Sequence, residues 1–195
     1  MKIVHTLIVT AALGLAAFAA SAAPVTYTFD TTHSRVTFYI NHFGFSNSVG
    51  EFKLGEGTFT FDNDDWSKSK VETKIPVQTL ELGDVKWNTH ILSPDFLESA
   101  KYPDITFVSK KVEKLDATHG KVYGDLTIKG VTKPAVLDLT VNKIGEHPMR
   151  KTPAAGFTAT TIVHRSEFGV VAYVPNVSDD VVIRIEVESY VPPKG

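Results

Sequence analysis

The sequence predicts an all-β protein, an antiparallel barrel or sandwich of about eight strands with one short helical insertion. Three observations carry this. Apolar residues alternate with polar ones in run after run, the two-residue period of half-buried strands. The runs are similar in length and separated by short turn-forming clusters. Only the stretch from Asp84 to Lys101 loses the period. Even strand lengths favour closure into a barrel, whose interior side chains can fill or which can hold one small ligand.

Residues 1–22 stand apart from this pattern. Lys2 supplies a positive start, Ile3 to Ala20 is largely apolar with no acidic group, and Ala20-Ser21-Ala22 has the small-x-small form of a cleavage site. We expect a signal peptide over 1–22 and a mature domain over 23–195, since Pro24 disfavours cutting after Ala23. An uncleaved anchor is the alternative, the run being near the shorter end of spanning length. The mature chain is long enough to bury a core without disulfides, and with no Cys it has neither disulfides nor thiol chemistry. The whole chain has 20 basic and 22 acidic residues, interspersed, which argues against nucleic acid as a partner. No later apolar run is long enough to cross a bilayer, so no integral membrane segment is expected in the mature chain.

The stretch Asp30 to Gly50 organises the rest. Val36, Phe38 and Ile40 share one face of a strand and Arg35, Thr37 and Tyr39 the other, while His42 falls in phase with the apolar set. Gly44 and Gly50 break the rhythm on either side of Phe45, the mark of a bulge or sharp bend. Gly57, Phe59 and Phe61 then alternate with threonines up to the turn cluster Asp62 to Asp65, and Val71, Thr73, Ile75 and Val77 alternate with Lys70, Glu72 and Lys74. Ser93-Pro94 marks the expected helix start, a capping serine before a proline at the first helical position. Trp87, Ile91, Leu92 and Phe96 give this only helical segment an apolar side that could plug or cover a barrel end. Strands resume at Ile105 and Phe107, from Val122 to Ile128 and from Ala135 to Val141. Gly145 to Gly156 reads as an exposed loop. Phe157, Ala159 and Val163 open the next strand with Arg165 in the same phase, and Val181, Ile183, Ile185 and Val187 form the last.

The inward phase collects Phe38, Ile40, Phe59, Phe61, Phe107, Leu126, Leu137, Phe157 and Val163. These would fill a small barrel as core, or line a cavity for an apolar ligand. Polar residues in that phase near strand ends, His42 and Arg165, suit a ligand headgroup; a hydrogen-bonded core histidine, and an ion pair of Arg165 with Glu167, Asp179 or Asp180, are the competing assignments. His33, His42, His90 and His164 lack the close spacing of a zinc motif, and no Gly-x-Ser-x-Gly is present. We expect no catalytic residue, metal or cofactor. The alternative, a metal- or histidine-dependent enzyme acting on a lipid, needs His42, His90 and His164 to converge.

Several ordered pieces resemble the YceI-like, polyisoprenoid-binding proteins. They are His33-Ser34-x-Val36-x-Phe38 with His42-Phe43-Gly44 and Gly50-x-Phe52; Ser93-Pro94-Asp95-Phe96 with Tyr102-Pro103-x-Ile105-x-Phe107; Gly124 to Thr132; Arg165-Ser166-x-Phe168-Gly169; and Asp180-Val181-x-Ile183. The resemblance implies an exported, lipocalin-like antiparallel barrel. It would hold a long-chain isoprenoid or fatty amphiphile, such as a polyisoprenoid or isoprenoid quinone, for storage, transport or sequestration in the periplasm. The bound lipid is then a ligand and not a cofactor, and a second copy of the chain is a candidate partner. The tail would lie against the inward set together with Phe45, and the headgroup near a mouth formed by His42, Trp87, Asn88, His90 and Arg165. Where the family commonly has an Arg-Asp pair before the helical histidine, this chain has Trp87-Asn88 ahead of His90.

Overall fold

Residues 23–193 are described by the computed structural model; the expected signal peptide lies outside the described residues. Alternation becomes strand throughout, giving β1 (Val25–Phe29), β2 (Arg35–His42), β3 (Ser46–Lys53), β4 (Thr58–Phe61), β5 (Lys70–Pro76), β6 (Asp104–Lys114), β7 (His119–Ile128), β8 (Val131–Glu146), β9 (Pro153–His164) and β10 (Val177–Tyr190). One helix, α1 (Val85–Ile91), interrupts them. Hydrogen bonding runs in the order β1-β4-β5-β6-β7-β8-β9-β10, and β1 pairs back onto β10 through Thr28–Tyr190 and Phe29–Ser189. This closes an eight-stranded antiparallel barrel. β2 and β3 are additional: β2 takes the remainder of the β10 edge, from Val177–His42 to Glu186–Arg35, and β3 folds back on β2 as a hairpin. That hairpin completes the wall by meeting the segment after β5, where Glu51 and Glu81 exchange backbone hydrogen bonds of 2.9 Å each.

Register defines the two ends of the barrel. Phe157 lies opposite Val187 and Val141 at one end, and His42 opposite Val177, just beyond the His164–Asp180 pair, at the other. The Phe157 end is a floor of packed rings. Phe59 stacks on Tyr27 and Phe29 at 5.4 and 5.1 Å between centroids and meets Phe157 edge-on at 5.5 Å. Phe61 sits between Phe157 and Trp66, and Trp66 is 1% exposed. Offset and edge-on aromatic pairs of this kind add about 0.5–1.5 kcal/mol each beyond area burial.

Five expectations require correction. The strands β1 and β3 were not expected; Phe43 and Gly44 take left-handed backbone (φ 56° and 76°) and reverse the chain into a hairpin that keeps the inward phase, but β3 is hidden in sequence because its inward positions before Phe52 are the small residues Ser48 and Gly50. Gly50, expected at a bend, lies in regular strand opposite Phe38, where a Cβ would run into the Phe38 ring and Leu82. The expected loop over 145–156 shrinks to the turn between β8 and β9, with Ala155 buried. The helix begins at Asp84, whose carboxylate accepts from the Trp87 amide at 2.8 Å; Ser93 belongs to the turns that follow. Helical material is also wider than expected, with 3-10 turns at Trp66–Lys68, Val77–Thr79 and Arg165–Phe168.

Candidate functional site: an apolar barrel cavity

Beyond the floor the inward side chains do not fill the barrel. They leave a cavity of about 650 Å³ with an almost wholly apolar wall. Phe38, Ile40, Phe59, Phe61, Phe107, Leu126, Leu137, Phe157 and Val163 all face it. So do Leu139, Ile183, Ile185 and Val187, which are only half-buried although they point into the barrel, because they border open space. From Phe157 to Arg165 the wall extends along β9 for about 26 Å at roughly 3.3 Å per residue.

Phe45 is the exception and corrects the expectation for the tail set. It lies at the outer tip of the β2–β3 turn, 93% exposed, and no part of the cavity wall is made from it. The reversal at Phe43 and Gly44 is the cause.

At the mouth, His42, Trp87, His90 and Arg165 face the cavity as expected. His42 packs edge-on against Phe43 at 4.7 Å and lies 6.4 Å from the Trp87 ring. His90 packs at 4.8 Å against Phe96, which with Ile91 and Leu97 extends α1 across the opening. Asn88 does not reach the cavity: its side-chain oxygen accepts from the Leu82 amide at 2.8 Å, and it anchors the helix start to the preceding turn. Tyr173, Phe43 and Val177 also line the mouth and were missed in sequence. The signal that could have found Tyr173 is an apolar, uncharged stretch over 169–178.

Arg165 is buried, and its partners differ from those expected. Its Nε donates to the Ser178 carbonyl at 2.9 Å, Nη1 to Val170 and Ala172 at 2.8 and 2.9 Å, and Nη2 to Val177 at 2.9 Å. Four of the five N–H groups of the guanidinium are thus spent on backbone carbonyls of the loop before β10 and of the first two residues of β10. Asp179, a proposed ion-pair partner, is instead occupied by the amide and hydroxyl of Ser166, both at 2.8 Å, which hold its carboxyl below the ordinary range. Burial lowers the Arg165 pKa from its ordinary value, and the nearby Asp179 charge opposes this. The cation is therefore held by dipoles, with Asp179 as a neighbour and not as a contact.

Of the three histidines that the enzyme alternative needs, His42 and His90 face the cavity and His164 does not. His164 points to the outer face and pairs with Asp180 at 2.8 Å, since it is out of phase with Val163 and Arg165 on either side. The set His42, His90 and His164 is therefore not assembled at the cavity.

An eight-stranded antiparallel barrel with one helix at its mouth and an apolar interior is a lipocalin-like barrel. The chain matches the YceI-like domain over residues 27–189 and belongs to that family. Protein YceI of Escherichia coli O157:H7 is 36% identical over 156 residues, covering 80% of this chain and 81% of the relative. The crystal structure of Burkholderia cenocepacia BcnA superposes with a TM-score of 0.74 at 24% identity, covering 82% of this chain and 98% of that one. A polyisoprenoid binding domain from Saccharophagus degradans shares the fold with a TM-score of 0.64 at 14% identity, over 85% of this chain and 98% of that one.

Proposed function

We propose that the protein is a non-enzymatic periplasmic carrier that holds a long-chain isoprenoid amphiphile, a polyisoprenoid or an isoprenoid quinone, and stores, transports or sequesters it. The cavity carries this reading. Left empty of ligand, a cavity of about 650 Å³ keeps an almost wholly apolar wall out of contact with any apolar partner. Filling it with water gives little relief, because water needs polar partners that this wall barely offers. An apolar chain satisfies it, gaining about 0.8 kcal/mol per buried methylene. The likeness to a polyisoprenoid binding domain supports the isoprenoid class.

The tail lies between Phe38 and the aromatic floor, and the headgroup lies at the end marked by His42, Trp87 and Arg165. The lipid is the ligand, and no cofactor is needed. Native mass spectrometry of the mature protein purified from its own periplasm, followed by solvent extraction, tests this. A stoichiometric isoprenoid is the expected result. A lipid-free protein that also refuses added isoprenoids would overturn the reading.

A further inference from the structure

We propose that the collar around the cavity mouth is a membrane-docking surface, on which the protein sits on a lipid bilayer while an isoprenoid passes into or out of the barrel. This rests on the carrier reading above. Three segments form the collar. The β2–β3 turn is tied to the loop before β10 by the Phe43 amide, which donates to the Asn176 carbonyl at 2.9 Å. That loop is tied to the helical segment through Tyr173, whose ring lies 6.1 Å from Phe96 and 6.4 Å from His90. The helix is tied back to the turn through Trp87 and His42.

Two properties of this collar point to a bilayer. First, two of the three segments, residues 41–49 and 169–178, contain no Asp, Glu, Lys or Arg, in a chain with 20 basic and 22 acidic residues among 195, while the helix start carries one charge of each sign, Asp84 and Lys86. Nineteen residues of average composition would carry about four charges. Aromatic, aliphatic, Asn and Ser side chains without charge suit the membrane interface, where rings sit at headgroup level. Second, the apolar surface is continuous from inside to outside. Phe43 and Tyr173 line the cavity and are also exposed, and beyond them Phe45 is 93% and Val85 80% exposed. A tail leaving a bilayer through water would slow by about fourfold per methylene exposed. A collar seated on the bilayer removes that gap. An apolar face centred on a lipid-sized opening is thereby matched to lipid.

The test is flotation of the mature protein with phosphatidylcholine vesicles, with and without phosphatidylglycerol, at low and high salt. It compares wild type with a Phe45→Ser/Val85→Ser double variant. Both residues lie outside the cavity wall, so equilibrium uptake of labelled geranylgeraniol added from ethanol should match wild type. Wild type is expected to float with both vesicle types and to be indifferent to salt. The double variant should bind vesicles at least about tenfold more weakly, from withdrawing a large aromatic and a valine from the apolar phase. It should also take up geranylgeraniol from vesicles more slowly by a similar factor. A wild type that stays in the aqueous phase overturns the docking surface, as does a variant that floats equally well. A dimer in sedimentation that the double substitution dissolves would assign the collar to a second copy instead. Failure of wild type to take up geranylgeraniol from ethanol would count against the carrier reading alone, because flotation reports on the collar without any ligand.

Discussion

Replacing Ala159 by phenylalanine distinguishes a cavity from a packed core by the sign of the stability change. Ala159 faces the cavity from the middle of β9, between Leu139 on β8 and Ile185 on β10, and is a small residue set between two large ones. The added benzyl group takes on the order of 100 Å³, about a sixth of the space, and at roughly 24 cal/mol per Å³ of void removed it should stabilise the ligand-free protein by about 2 kcal/mol. Urea denaturation of delipidated protein reads this directly. With a slope of about 2 kcal/mol per M, the midpoint should rise by about 1 M. The same ring blocks the path of a tail, so isoprenoid capacity should fall in parallel. If the barrel were a filled core, the substitution would overpack it and cost about 1–3 kcal/mol. A lowered midpoint with unchanged lipid uptake would refute the cavity argument.

Two further predictions follow from the polar contacts. Arg165→Lys keeps the cation but offers three donors from one point to carbonyls that the guanidinium reaches from three nitrogens, so at least one buried carbonyl is left unpaired. It should destabilise by about 1–3 kcal/mol, with faster amide exchange over 170–178; unchanged exchange there would show that Arg165 does not organise the loop. Asp30 is buried, which raises its pKa, but hydrogen bonds from His33, Arg150 (2.7 Å) and the amides of His33 and Thr32 outweigh this and hold it below the ordinary value. A depressed folded pKa stabilises above the unfolded value, and that contribution is lost as pH falls through the folded one. Asp30→Asn should therefore cost about 1.5–3 kcal/mol at pH 7, and the gap to wild type should close below about pH 4. A gap that persists in acid would contradict the charge-based account.

The fold was legible wherever burial alone sets the pattern. Val181, Ile183, Ile185 and Val187 alternate cleanly because one face of β10 borders the cavity and the other borders water. The same logic placed His42 and Arg165 inward, since strand phase does not depend on residue type. It failed where the chain reverses. β3 was lost because its inward positions Ser48 and Gly50 are small, and Phe45, which the alternating count from Ile40 puts out of phase with the wall, was assigned to it only through the resemblance. The helix start was misplaced because Ser93-Pro94 and Asp84 both have capping chemistry, and only the structure shows that Asp84 is the one that caps. The partners of Arg165 were illegible for a related reason. Backbone carbonyls carry no sequence signature, whereas the three nearby acidic residues do.

A hoop loaded from within parts at its weakest stave, and this barrel has one. Most of its circumference is continuous ladder, and the floor is clenched by stacked rings. Between β3 and the chain from Lys74 to Glu81, however, the wall is stitched by the Glu51–Glu81 exchange, by the Lys53 amide on the Thr79 hydroxyl at 3.1 Å and by the Gly55 amide on the Lys74 carbonyl at 2.9 Å. The seam is thus held by a few hydrogen bonds and the base, where β1–β10 and β4–β5 each pair over two residues, by its packed rings. Widening the waist would mean parting hydrogen bonds, whereas widening the bottom would mean unstacking aromatic rings.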